Sequence, residues 1–258
     1  VSIDLAVWLA GVALEAAVTL VLLRTRIARL LPIFFVFSVW NVGTDLTSKM
    51  VQAHYGYASL QYFHFFMVEH WLDAVVQIAV LIELAWSVLR PYRKVLPRAT
   101  IYAIAAVVLA VGAAVWPFTG IHGLNIPPDW VPLIRLERMT SVLRILFFMG
   151  LAGMSQVLAM GWRNRELQVA TGLAFYSLLS LGASILHTYH ASAVVFHTID
   201  NALIGGYACV LLYWTVSFLQ QEAPRHEFSP KMQDLLLTVA GSARAGRLAV
   251  EDLRKSKT

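Results

Sequence analysis

Residues 60–89, LQYFHFFMVEHWLDAVVQIAVLIELAWSVL, constrain this chain more than any other stretch. At about 1.5 Å of rise per residue they outreach a hydrocarbon core about 30 Å thick, yet they carry Glu69, His70, Asp73, Gln77 and Glu83. At about 100° per residue those five occupy a little under half of the helix circumference, while Leu72, Val75, Ile78 and Leu81 lie largely on the remainder. Ionisable groups at membrane depth are costly unless they face protein or a water-filled space. This helix therefore belongs inside a bundle, with its polar face lining something.

The rest of the chain supplies the bundle. Of its 258 residues 59% are hydrophobic and only 14% charged, far from the roughly 25% charged content of soluble domains. The apolar runs divide into seven spans at 4–23, 31–50, 60–88, 99–118, 133–160, 167–188 and 194–219. The expected fold is all-α, a polytopic bundle of seven transmembrane helices over residues 1–220. A cytoplasmic, basic, amphipathic tail follows at 221–258.

The basic residues orient the bundle. All Lys and Arg except Lys49, Arg135, Arg138 and Arg144 follow spans 1, 3 and 5 or lie in the tail, and the connectors 51–59, 119–132 and 189–193 hold none. The positive-inside tendency then places the N-terminus outside and the tail in the cytoplasm. The formal net charge of +5 is spent on loop topology and on anionic headgroups, so the expected partner is the lipid bilayer and not nucleic acid. No basic region precedes the first apolar run, which reads as a retained span. Ser229 and Pro230 start a helical pattern in the tail, with Met232, Leu235, Leu236 and Val239 on one stripe, suited to the inner leaflet or to a cytoplasmic partner docking on residues 229–258. The lone Cys209 has no disulfide partner in the chain.

Polar groups inside the spans mark the candidate site. Glu15 breaks span 1, and Asp45 and Lys49 are four apart near the outer end of span 2. In span 5, Glu137, Ser141 and Arg144 share a face, and a buried Arg144 calls for a carboxylate, Asp73 or Glu69 being at comparable depth. His187, His190, His197, Asp200 and Asn201 gather around the connection of spans 6 and 7, whose Ser177, Ser180, Gly182, Ser184, Gly205 and Gly206 favour close helix approach. All nine prolines lie at span ends, in connectors or in the tail, so the helices are expected to be unbroken. With Glu83 the main exception, the polar groups fall in the outer half or near mid-depth. The expected pocket opens outward and is drawn from Glu69, His70, Asp73, Glu137, Arg144, His187, His197, Asp200 and Asn201.

Several functions fit that pocket. His70 and Asp73, completed by His187, His190 or His197, offer a donor set suited to zinc, with Glu69 as a base for metal-assisted hydrolysis. Paired histidines such as His70 with His187 or His197 offer axial ligands for haem. A retinal Schiff base has no lysine in span 7. A sensor or binding protein needs only the outward pocket and the tail. In carrying intramembrane His and Asp the chain resembles the alkaline ceramidase and adiponectin-receptor superfamily of seven-helix membrane hydrolases, which would imply zinc. That family's last helix spaces its histidines four apart, whereas the spacings here are three and seven. Through YFHFF, VEHWLD, IELAW and RPY, the chain also resembles uncharacterised bacterial polytopic membrane proteins, which implies a multi-pass protein of the cell inner membrane and no particular activity.

Overall fold

The computed structural model describes residues 3–56, 59–90, 97, 99–120, 130–154, 163–189, 193–220 and 238. They form eight α-helices: α1 (Ile3–Arg24), α2 (Ile27–Leu30), α3 (Pro32–Tyr55), α4 (Leu60–Val88), α5 (Thr100–Val115), α6 (Val131–Gly153), α7 (Arg165–Tyr189) and α8 (Ala193–Leu219). A 3-10 turn over Trp116–Thr119 extends α5. Among the described residues five stretches are long and apolar enough to cross a membrane: Leu5–Arg24, Leu60–Val88, Thr100–Thr119, Arg165–His187 and His197–Leu219. The chain is thus an all-α, multi-span membrane protein. Helices α3 and α6 match these in length, at 24 and 23 residues, but hold no stretch as continuously apolar. Within α6 this reflects Arg135, Glu137, Arg138 and Arg144, which need protein partners rather than lipid.

Several boundaries differ from the sequence-based expectation. Helix α3 runs on to Tyr55, α6 ends at Gly153, and residues 155–160 of the expected span 5 lie outside the described residues. The short α2 was not expected; it follows a reversal in which Arg26 takes up the left-handed conformation, with φ of 59°. Pro32 does open α3, where its missing N–H is harmless. Ser59 starts α4, its Oγ accepting the Tyr62 N–H at 3.1 Å. Apart from Thr238, the expected amphipathic tail lies outside the described residues.

The long helices alternate in direction, so Arg24, Arg90, Arg163 and Arg165 mark one end of the bundle, the basic end. Helix α1 packs on α3 and α8, α3 on α4, α4 on α6 and α7, α6 on α7, and α7 on α8, closing a ring; α5 lies outside it against α4 and α6. The largest apolar core sits toward the basic end, where Leu22, Ile27, Leu31, Phe34, Leu84, Leu167, Trp214 and Phe218 converge. Phe34 meets Trp214 and Phe218 edge-on, at centroid distances of 5.1 and 6.0 Å. Trp214 lies directly on Gly172, where a Cβ would sit 2.3 Å from the indole nitrogen, and its N–H donates to the Gln168 carbonyl at 3.2 Å. Of the small residues expected to bring α7 and α8 together, Gly206 lies tight against Leu179, whereas Gly182 and Gly205 face open space.

Charged groups at the basic end hold helix termini. The Glu83 carboxylate accepts the N–H groups of Ile33 and Phe34 at 2.7 and 2.8 Å, so a residue of α4 caps the start of α3. Arg165 donates to the carbonyls of Ser217 and Gln220 at 2.7 and 2.5 Å, capping the end of α8 from the start of α7. Beside it, Ser87 donates to Glu166 at 2.5 Å. Glu83 and Arg165 substitute here for water that the helix ends would otherwise need.

Candidate functional site

A cavity of about 120 Å³ lies between α4, α6 and α7. From α4 it takes His70, Asp73, Ala74 and Gln77, which at positions i, i+3, i+4 and i+7 form one stripe. From α6 come Leu133, Leu136, Glu137, Thr140 and Arg144, and from α7 Tyr176 and Ser180, one turn apart. Glu137 and Arg144 are two turns apart on α6, so roughly 10 Å of rise separates them. Glu137 is exposed while Arg144 is only 3% exposed, which places the carboxylate at the mouth and the guanidinium at the floor.

Local bonds fix these groups without exhausting them. Gln77 Nε2 donates to Asp73 Oδ2 at 2.5 Å, across one turn of α4. Ser180 Oγ donates to Glu137 Oε1 at 2.8 Å, joining α7 to α6. His70 Nδ1 is 3.0 Å from the Phe66 carbonyl, which can only accept, so Nδ1 carries a proton and donates it there. Phe66 packs on His70 at 3.9 Å and on Trp130 at 5.6 Å, steadying the start of α6 against α4. Arg144 donates to Ser141 Oγ at 3.2 Å and lies 5.9 Å from the Tyr176 ring centroid, within cation–π range. Two residues of the lining each keep a buried atom without a hydrogen-bond partner: the Nε of Arg144 and the Oε1 of Gln77.

The expected partnership of Arg144 with Asp73 or Glu69 is not what the structure holds. The guanidinium and the Asp73 carboxylate face one cavity without a nitrogen–oxygen contact inside 4 Å. Gln77 occupies Asp73, and Ser141 and Tyr176 occupy Arg144. The expected Asp45–Lys49 pair is likewise absent: Lys49 donates to Gln52 Oε1 at 3.2 Å. The serines of α7, expected as spacers, are bonded instead, Ser180 to Glu137 and Ser184 to Arg138, whose Nε donates to it at 2.8 Å.

Of the residues expected to form the pocket, His70, Asp73, Glu137 and Arg144 are brought together. Glu69 lies on the same helix but not in the cavity lining; it falls on the Glu83 side of the α4 stripe, away from Gln77. His187 Nε2 is 3.4 Å from Asp200 Oδ1, an α7–α8 pair separate from the cavity lining. His197 and Asn201 are exposed on α8, and His190 lies outside the described residues. Among the described residues no group of three or more His, Cys, Asp or Glu side chains is arranged to hold a metal ion.

Tyr176 and Thr140 complete the cavity and were not foreseen. Neither carries a charge, and a tyrosine in an apolar run gives no sign of which neighbour it will meet. Behind Tyr176 lies a second polar cluster. Tyr207 packs against its ring at 5.2 Å and donates to Glu15 Oε1 at 2.7 Å, while Asn41 donates to the Tyr207 oxygen at 3.2 Å. Glu15, 3% exposed in α1, thus finds its partner on α8. Comparison with protein-family models, with curated proteins and with solved structures returns no match for this chain.

Proposed function

We propose that this chain is a seven-span membrane protein with its N-terminus outside, in which the cavity between α4, α6 and α7 binds a small molecule arriving from the side opposite the basic end. The tail beyond Gln220 then lies in the cytoplasm, where a sensor would engage its partner. The observation that carries this reading is that two residues lining the same cavity, Arg144 and Gln77, each keep a buried atom without a hydrogen-bond partner, Nε and Oε1. Buried polar atoms are nearly always bonded, and those left over beside an open space are where a ligand or water gains most. All seven long helices spanning the membrane would also explain why α3 and α6, which hold no stretch as continuously apolar as the other five, sit within the ring.

Cysteine accessibility tests the reading. In a Cys209→Ser background, Ser180→Cys should react with a membrane-impermeant thiol reagent added from the side opposite the basic connectors. Ala74→Phe, which fills the cavity from α4, should slow that reaction about tenfold. Failure to label from that side, or equal labelling with the cavity filled, removes the pocket as a binding site.

A further inference from the structure

We infer that the cavity is built for a small zwitterion, a molecule carrying an ammonium and a carboxylate on a short chain. This rests on the binding role proposed above and names its ligand class. The two unpartnered atoms have opposite polarity: Arg144 Nε can only donate, and Gln77 Oε1 can only accept. An occupant that satisfies both must itself accept and donate. The charges around them are also mixed, with the Arg144 guanidinium at the floor and the carboxylates of Asp73 and Glu137 in the walls.

That mixture argues against ions of one sign. A simple anion would gain Arg144 but would be brought, out of water, beside two carboxylates. A simple cation would gain Asp73 and Glu137 but would share the cavity with a guanidinium that has almost no exposure of its own. A zwitterion places each end against its opposite: carboxylate on Arg144, where the forked donors suit it, and ammonium toward Asp73 and Gln77 Oε1. The Asp73 carboxylate is held in place by the Gln77 amide nitrogen and the Glu137 carboxylate by Ser180, so the acidic wall is already oriented. The volume, about 120 Å³, leaves room for several waters or one molecule of a few heavy atoms. Tyr176 closes the α7 side of the cavity with a ring that lies within cation–π range of Arg144.

The full chain reconstituted in lipid nanodiscs would be challenged with glycine, β-alanine and 4-aminobutyrate, and with acetate and methylammonium as single-charge controls. At least one zwitterion should raise the melting temperature saturably, and neither control should do so at the same concentration. Asp73→Asn, which still accepts from Gln77, should fold as the native protein does and weaken that zwitterion about tenfold. Glu137→Gln, at the exposed mouth, provides a second variant and should weaken it about threefold. Acetate or methylammonium binding as tightly as any zwitterion, both variants binding undiminished, or silence from all five compounds would overturn the inference. If Ser180→Cys is labelled and its labelling slowed by Ala74→Phe while the zwitterions fail, the ligand class alone is wrong; if it is not labelled, the pocket itself is.

Discussion

The two ends of this bundle use the same residue types for opposite purposes. At the basic end Glu83 and Arg165 are buried and committed, each bonded to backbone groups at the end of another helix. Around the cavity Arg144 is buried, Asp73 and Gln77 are half-buried, and all three are only partly committed, hydrogen-bonded to near neighbours on their own helices and leaving two atoms over. An ion that seals a helix end contributes to the fold, because removing it strands backbone groups in a medium without water. An ion whose hydrogen bonds stay on its own helix adds no hydrogen bond between helices. Its reason for being buried must be sought in what enters the space beside it.

Substitutions can break or sharpen that contrast. The largest loss should follow Glu83→Ala, which strands the Ile33 and Phe34 N–H groups; two charge-assisted bonds correspond to about 3 kcal/mol, read as a large fall in melting temperature. A change no greater than a cavity substitution produces would erase the distinction between the two ends. Gly172→Ala should come next, at about 2 kcal/mol, since the new Cβ meets the Trp214 ring and the α7–α8 contact must open. Blue-shifted tryptophan emission moving toward red in this variant would report the displacement of Trp214. At the cavity, Gln77→Leu should change stability by less than about 1 kcal/mol, because it removes one bond and one unsatisfied oxygen together. A loss as large as that of Glu83→Ala would make the cavity a structural element. Smallest of all, Lys49→Ala should stay within about 0.5 kcal/mol, its hydrogen bond being to Gln52 three residues along the same helix.

Helix positions were legible because the length of an apolar run is a property of neighbouring residues. The His70–Asp73–Gln77 stripe was legible for the same reason, since helical periodicity places it on one face. What that face meets was not. Glu83 belongs by angle to the same broad polar face as Asp73, yet it turns to α3, because the N–H groups it satisfies lie 50 and 49 residues away. Pairing Arg144 with a span 3 carboxylate followed from charge and depth alone. Those two quantities do not register that Ser141 sits one turn away or that Tyr176 presents its ring from α7. Histidines near the α7–α8 connection looked continuous with the site because depth was comparable, but depth does not resolve position around the ring, and His187 instead meets Asp200.

The packing of Tyr207 on Tyr176 bears on how the cavity would respond to an occupant. Tyr176 forms part of the cavity wall, and the ring behind it is pinned by Glu15 from α1 and Asn41 from α3, two helices that contribute nothing to the lining. The wall therefore has a rigid backing anchored across the width of the bundle. A guest entering beside Tyr176 has little rotamer freedom to freeze on that side, so selectivity there is set by shape held ready in advance rather than by closure around the guest.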